Sequence, residues 1–175
     1  MQSGRTLFAG VMLLAFAGTK CALAQTPSPS PLEAQVRHEL LQLPYYGVFD
    51  YLRFSIDGDT VTLTGQASNY VLRNDAVGAV KHLAGVRAVN DQIEVLPLSS
   101  FDDRIRLELF RSLYRDSALN RYRLIRVQPP IRIIVNNGNV TLTGIIDSEM
   151  DRNVVYDRAM EVRDAFSVTN DLKVQ

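Results

Sequence analysis

The pentapeptide Val61-Thr62-Leu63-Thr64-Gly65 recurs 79 residues later as Val140-Thr141-Leu142-Thr143-Gly144, and its flanks align in the same register without a gap. The positions that match beyond the pentapeptide are mostly apolar, such as Leu52 with Ile131 and Ile93 with Leu172. Apolar positions that persist while their neighbours diverge mark a shared core. The chain is therefore predicted to contain two copies of one small domain.

Each copy opens with a helix that has its own start signal. Ser30-Pro31-Leu32-Glu33 combines a capping hydroxyl, a proline in the first turn and a carboxylate three residues after the cap, which is a capping box. The second copy restarts in the same way at Ser100-Phe101-Asp102-Asp103. Apolar residues then recur at helical spacing in both copies. The restart places the domain boundary at residues 97–100.

A hairpin, a second helix and a last strand follow in each copy. In the first copy Leu52, Phe54 and Ile56 alternate with polar residues, and Asp57-Gly58-Asp59 turns the chain into the pentapeptide strand. This pattern predicts a hairpin with one buried face. The fold class is therefore α+β: two tandem copies of a helix-strand-strand-helix-strand unit, with the helices packed on one face of a three-stranded sheet. The sister copy is the nearest candidate to cover the other face and the edges of each sheet.

The first 24 residues have the features of an export signal. Arg5 precedes an apolar run over residues 7–18, which is shorter than the roughly 20 residues that span a bilayer, and Ala22-Leu23-Ala24 has the small residues of a cleavage site. We therefore expect a periplasmic or secreted chain that starts near Gln25, with no transmembrane segment in its mature form. Cys21 follows Lys20 rather than the small residues of a lipid-attachment signal, so its removal is favoured over its acylation, although both stay open.

The predicted organisation is a signal peptide over 1–24, a Pro/Ser linker over 25–31, a first domain over 32–97 and a second over 98–175. Without Arg5 and Lys20 the chain has 17 Lys+Arg against 19 Asp+Glu. This near neutrality gives no general argument for nucleic acid as a partner.

No motif points to catalysis, a metal, a cofactor or a small-molecule substrate. His38 and His82 have neither metal-type spacing nor a Cys or His companion, and they are read as surface histidines. Asp57 and Asp59 are read as turn residues. The chain is therefore predicted not to be an enzyme.

Charge is unevenly placed in the second copy. Eight arginines and only two acidic residues lie between Arg104 and Arg132, whereas residues 147–171 hold seven acidic residues and three arginines. The basic segment also has ten residues more than its counterpart and includes aromatic residues. Arginine interleaved with aromatics suits anionic lipid headgroups. The candidate lipid-binding residues are Arg115, Arg121, Tyr122, Arg123 and Arg126. The competing interpretation is that these arginines form a solvated face or pair with the acidic half.

The segment Leu43-Pro44-Tyr45-Tyr46-Gly47-Val48-Phe49 has three aromatics between the first helix and the first strand. Two interpretations stay open. The aromatics either cap the core at the seam between the domains or form an exposed membrane or protein contact.

The Val-Thr-Leu-Thr-Gly strand ending, the helix after it, and the closing Gly85-Val86-Arg87-Ala88-Val89-Asn90-Asp91-Gln92-Ile93 resemble a BON domain. The second copy resembles it through residues 137–144 and 166–172. The resemblance is to a family of periplasmic osmotically induced and outer-membrane phospholipid-binding proteins. It implies an exported, non-enzymatic envelope protein that binds anionic phospholipid membrane surfaces or envelope proteins in stress protection. The alternative is a periplasmic chaperone or adaptor that binds other envelope proteins through exposed sheet edges.

Overall fold

A computed structural model of the chain describes residues 30–124 and 130–175. Repeat one consists of α1 (Pro31–Gln42), β1 (Tyr51–Asp57), β2 (Thr60–Ala67), α2 (Tyr70–Lys81) and β3 (Ala88–Val95). Repeat two consists of α3 (Ser100–Arg115), α4 (Arg121–Leu124), β4 (Ile131–Asn136), β5 (Asn139–Ile146), α5 (Glu149–Met160) and β6 (Ser167–Val174). None of the helices in these ranges has the length and apolar character needed to cross a bilayer.

Each repeat has one three-stranded sheet with the pentapeptide strand in the centre, in the orders β1-β2-β3 and β4-β5-β6. The first two strands of each sheet are antiparallel, and the last pairs in parallel with the central one. Two-residue turns connect the hairpins. They place Gly58 at φ 61, and Asn137 and Gly138 at φ 51 and 78, the left-handed conformations that such turns require. The predicted α+β architecture of two repeated units is confirmed.

One apolar core lies in each repeat, between the two longer helices and one face of the sheet. Leu63 in repeat one and Leu142 in repeat two lie at its centre, and both are fully buried. Around Leu63 pack buried residues from both helices and all three strands, among them Val36, Leu72 and Ile93. The alternation of apolar and polar residues in the sequence therefore assigned the strand faces correctly.

The glycine that ends the repeated pentapeptide is required for a steric reason. Gly65 and Gly144 have φ values of 111 and 131. A Cβ atom there would lie 1.9 Å from the Tyr51 carbonyl oxygen in repeat one and 1.8 Å from the Pro130 carbonyl oxygen in repeat two. No side chain fits so close to a neighbouring strand, so the backbone crossing itself requires glycine at both positions.

The ends of two helices and one additional helix were not anticipated from the sequence. The Oγ of Ser99, not Ser100, caps α3 by accepting a hydrogen bond from the Asp102 amide at 3.2 Å. Gly85, the residue expected to close the second helix of repeat one, lies beyond its end at Lys81, in the turn that leads to β3. The four-residue helix α4 was not predicted, since one turn has too few residues to show a helical period.

The segment between α1 and β1 reaches across to repeat two. The Ile133 amide donates a hydrogen bond to the Val48 carbonyl at 2.9 Å, Val48 packs into the core of repeat two, and the rings of Phe49 and Phe110 lie edge to face at 6.1 Å. This confirms the interpretation of the segment as a seam between the domains, except at Tyr45. The Tyr45 side chain is 75% exposed.

Candidate functional site

The candidate lipid-binding residues fall into three groups. Arg115 ends α3, and Arg121 and Tyr122 begin α4. Arg126 lies outside the described residues, and so does the side chain of Arg123. The structure therefore places three of the five candidate side chains.

Arg121 and Tyr122 belong to a polar cluster around Asp151, a buried residue in the first turn of α5. The Tyr122 hydroxyl donates to the Asp151 carboxylate at 2.6 Å, and the Ser148 hydroxyl donates to it at 2.8 Å. The Arg121 guanidinium pairs with the same carboxylate and donates to the Ala118 carbonyl at 2.7 Å. Tyr122 also accepts a hydrogen bond from the Asp147 amide at 2.9 Å. These contacts hold the start of the ten extra residues of repeat two against α5.

Electrostatics in this cluster follow from its burial and its hydrogen bonds. Burial alone would raise the pKa of Asp151, but the hydrogen bonds from Tyr122 and Ser148, together with Arg121, outweigh it and leave that pKa below its usual value. Burial is also the main reason that the pKa of Tyr122 is raised. At neutral pH the cluster therefore consists of a carboxylate, a neutral phenol and a guanidinium.

Repeat one has nothing equivalent, because the position of Asp151 is occupied there by the fully buried Leu72. The cluster accompanies the ten extra residues of repeat two and holds their beginning in place. This arrangement matches the interpretation in which arginines pair with the acidic half of the domain. Arg121 and Tyr122 as lipid ligands stay a prediction.

Arg115 lies in a different environment, on the exposed side of α3. Arg104, Arg111 and Arg115 follow one another at helical spacing and are all exposed, and together they form what we call the α3 arginine face. Among the described residues, Arg111 and Arg115 have no acidic partner. Arg104 is only 3.9 Å from the Asp164 carboxylate and also lies over the Phe101 ring. Two guanidinium groups of this face are therefore available to an external anion.

A cleft of 760 Å³ runs along the α3 arginine face. Its lining residues are Arg104, Leu107, Glu108, Arg111, Ser112, Arg115, Asp116 and Arg158. The Leu107 side chain is 44% exposed in the middle of this surface. Arg158 of α5 closes one side, and its guanidinium contacts the carboxylates of Asp116 and Glu161 at 3.0 Å. The cleft therefore combines uncompensated positive charge with a small apolar surface.

The candidate residues predicted from the sequence include Arg115 but not Arg104 or Arg111. The helical spacing could have identified these two arginines as well, since they fall on the side of α3 opposite the apolar positions Ile105 and Leu109. Asp116, one of the two acidic residues within the basic segment, pairs with Arg158 of α5. The pKa of Asp116 lies below its usual value because its carboxylate accepts a hydrogen bond from the Ala118 amide and others from Arg158.

The other buried charges serve the fold. Asp102 accepts hydrogen bonds from the amides of Asn137 and Gly138 at 2.9 and 2.8 Å and so holds the β4–β5 turn. The Asp50 carboxylate likewise accepts hydrogen bonds from the amides of Gly47 and Ser68. Within residues 30–124 and 130–175 no group of His, Cys, Asp and Glu side chains could hold a metal ion.

The sequence model of one protein family, described as the BON domain, matches residues 30–97 and 116–175. Among solved structures, the chain is similar to CdsD, a structural protein of the type III secretion system of Chlamydia trachomatis, with 14% identity over 81% of this chain and 91% of that one and a TM-score of 0.31. A structure of the C-terminal domain of CdsD matches with 14% identity over 85% of this chain and all of that one, with a TM-score of 0.30. No curated protein matches.

Proposed function

The chain belongs to the BON domain family, and on that premise we propose that it is exported to the cell envelope and binds anionic phospholipid surfaces through the α3 arginine face. Two BON domains indicate an envelope-associated, non-enzymatic role. The phospholipid ligand, the cleavage of residues 1–24 and a function in stress protection are the specific parts of the proposal.

The observation that carries the proposal is the pair Arg111 and Arg115. Both lie on the exposed side of a helix whose opposite side is packed in the core, so their position is fixed and their guanidinium groups face solvent. Guanidinium suits phosphate because its planar donors match two phosphate oxygens. Leu107 beside them supplies a shallow apolar contact. The surface thus offers charge and a little apolar area, which an interfacial lipid site needs.

The size of the effect can be worked from the charges. Each basic side chain near an anionic membrane contributes about 1 kcal/mol, and the contribution falls off within a Debye length. Reversing Arg111 and Arg115 to glutamate removes two attractions and adds two repulsions. The expected loss is therefore about 4 kcal/mol at low salt, or about a thousandfold in the apparent binding constant.

The test is co-sedimentation of the chain from Gln25 onward with anionic and zwitterionic liposomes across a range of salt concentrations. We expect binding to anionic liposomes that weakens as salt rises, and loss of that binding in the Arg111→Glu/Arg115→Glu variant. The matched control is Arg87→Glu/Arg163→Glu, which makes the same change in net charge at two exposed arginines away from the cleft. The control should bind as the unaltered chain does.

Equal loss of binding in both double variants would show that only net charge matters and would refute the assignment to this face. Binding that ignores lipid charge and salt would refute the anionic-lipid proposal as a whole. Circular dichroism of each variant separates loss of binding from loss of fold. Arg121 is not suited to this test, because replacing it also disrupts the Asp151 cluster.

A further inference from the structure

The edge strand β1 presents a row of backbone groups to a groove between the repeats. Paired residues in an antiparallel ladder alternate between hydrogen-bonded and non-hydrogen-bonded positions. The two-residue turn closes on the hydrogen-bonded pair Asp57 and Thr60, so the amides and carbonyls of Leu52, Phe54 and Ile56 point away from β2. Consistent with this, the Leu52 amide donates to the Tyr46 hydroxyl at 3.3 Å rather than to β2.

The sister strand β4 shows how this chain closes the same edge. Ile133 corresponds to Phe54, and its amide donates to the Val48 carbonyl at 2.9 Å. Val135 corresponds to Ile56, and its carbonyl accepts a hydrogen bond from the buried Arg106 at 2.6 Å. A segment of repeat one and an arginine of α3 thus satisfy one outward amide and one outward carbonyl of β4.

Repeat one has the same arginine in a different arrangement. Arg37 of α1 corresponds to Arg106, but its side chain is 58% exposed, whereas that of Arg106 is 6% exposed. Arg37 pairs with Glu33 at 2.9 Å and lies over the Phe54 ring at 5.5 Å. Among the described residues, the outward amides of Phe54 and Ile56 have no hydrogen-bond partner. Within residues 30–124 and 130–175, the edge that is partly closed in repeat two is therefore open at Phe54 and Ile56 in repeat one.

The open edge lines a groove of 1140 Å³. One wall is α1 and residues 51–56 of β1, and the other includes Ile145, Asp171 and Lys173 on the outer face of the second sheet. Leu41 and Ile145 expose 42% and 48% of their surface. The charged residues that line the groove are four cations, Arg37, Arg53, Arg132 and Lys173, and two acids, Glu33 and Asp171. The groove is therefore mostly apolar, with a positive balance.

We propose that this groove binds an extended segment of another polypeptide, which adds as a strand to β1 and pairs with the backbone of Phe54 and Ile56. The Val48 segment on β4 is the precedent within the chain, since it is a turn whose Val48 carbonyl accepts a hydrogen bond from the outward Ile133 amide on the equivalent edge. Main-chain pairing supplies affinity in such complexes, and the lining side chains supply selectivity. The positive balance favours segments in which apolar residues are flanked by acidic ones. The Tyr46 hydroxyl blocks the Leu52 amide, so pairing begins at Phe54.

The test maps binding on the unaltered chain by NMR. The ¹⁵N-labelled chain from Gln25 onward is titrated with reduced, carboxymethylated α-lactalbumin, an unfolded and acidic polypeptide. We expect the amide signals of Phe54 and Ile56 to shift and their hydrogen exchange to slow as the polypeptide is added. The amides of β3, the other edge strand of this sheet, should be unchanged.

Variants then test the groove itself. Ile145→Glu places a carboxylate on the wall opposite β1, and it should weaken binding at least tenfold. Met150→Glu is the matched control, because it makes the same charge change at a side chain that is 75% exposed and does not line the groove. It should bind normally.

Two results would overturn the proposal. One is the absence of shifts at Phe54 and Ile56, or shifts there that Ile145→Glu leaves unchanged. The other is a response of these amides to anionic vesicles instead of the polypeptide, which would make the groove a lipid site. If Ile145→Glu fails to fold, the mapping on the unaltered chain still decides.

Discussion

Removing the carboxylate of Asp151 should destabilise repeat two strongly. Asp151 is 3% exposed and accepts hydrogen bonds from the hydroxyls of Tyr122 and Ser148 and from the Arg121 guanidinium. Tyr122 itself is 4% exposed, so water cannot readily replace the carboxylate as the acceptor of its proton. Asp151→Ala therefore leaves a buried hydroxyl donor without its partner.

The magnitude follows from these contacts. An unsatisfied buried donor costs about 1–3 kcal/mol. Loss of the hydrogen bond from Ser148 adds about 1 kcal/mol, while Arg121 is 42% exposed and regains water. We expect Asp151→Ala to lower the free energy of unfolding by about 2–4 kcal/mol. In a domain of this size that corresponds to a fall of roughly 10 °C or more in Tm.

Urea unfolding followed by far-ultraviolet circular dichroism is the suitable assay, because the chain has no tryptophan. Asp157→Ala is the matched control, since it removes the same charge from an exposed site on the same helix. Tyr122→Phe and the double variant complete a double-mutant cycle, in which we expect a coupling of about 1 kcal/mol or more. A change at Asp151 no larger than that at Asp157, or additivity in the cycle, would refute the reasoning.

The loss of stability caused by Asp151→Ala is expected to depend on pH. The pKa of Asp151 in the folded chain lies below that of an aspartate in the unfolded chain, so the native state binds fewer protons than the unfolded state as the pH falls through that region. A depressed carboxyl pKa contributes stability that is fully present above the unfolded pKa and is lost as pH falls through the folded one. The difference between the unaltered chain and Asp151→Ala should therefore be constant from pH 5 to 7, as a rough range, and shrink in more acidic buffer.

Two further predictions concern the cores. Leu63→Ala and Leu142→Ala each empty a fully buried leucine site, so each should cost about 2–5 kcal/mol in urea unfolding; unchanged melting in both would show that the strand faces are inverted. Burial raises the pKa of Tyr114 to about 12, and its hydroxyl has no hydrogen-bond partner among the described residues. Tyr114→Phe should therefore raise the free energy of unfolding by about 1 kcal/mol, and a lower urea midpoint would contradict this.

Much of the fold could be predicted because a comparison of the two copies shows which apolar positions they share. Apolar positions such as Leu63 and Leu142 recur with strand and helix periods, and these periods decide which face of each element is buried. The repeated glycine could also be recognised as a constraint, but its cause could not. Only the structure shows that Gly144 lies against the Pro130 carbonyl, because that contact depends on how closely the backbone at the two ends of the hairpin approaches.

The candidate site was only partly predictable. Composition located the positive charge in the second repeat and included Arg115. It could not separate Arg115 from Arg121, because the two differ in their distance to acidic residues some thirty positions away. Arg121 lies beside Asp147 and Asp151, whereas Arg115 faces solvent.

The sequence by itself determined the repeat, the order of its elements and the buried face of each strand, since these depend on local periodicity and on turn residues. Tertiary structure alone decided which arginines are paired and which sheet edge is open. Arg37 and Arg106 occupy equivalent positions in the two repeats, yet one is exposed beside Glu33 and the other is buried against the Val135 carbonyl. The physical reason is that the free energy of a charge or a backbone amide depends on what lies within a few ångströms of it. For Arg106 and for the Ile133 amide that neighbour is distant in the sequence, in another part of the domain or in the sister repeat.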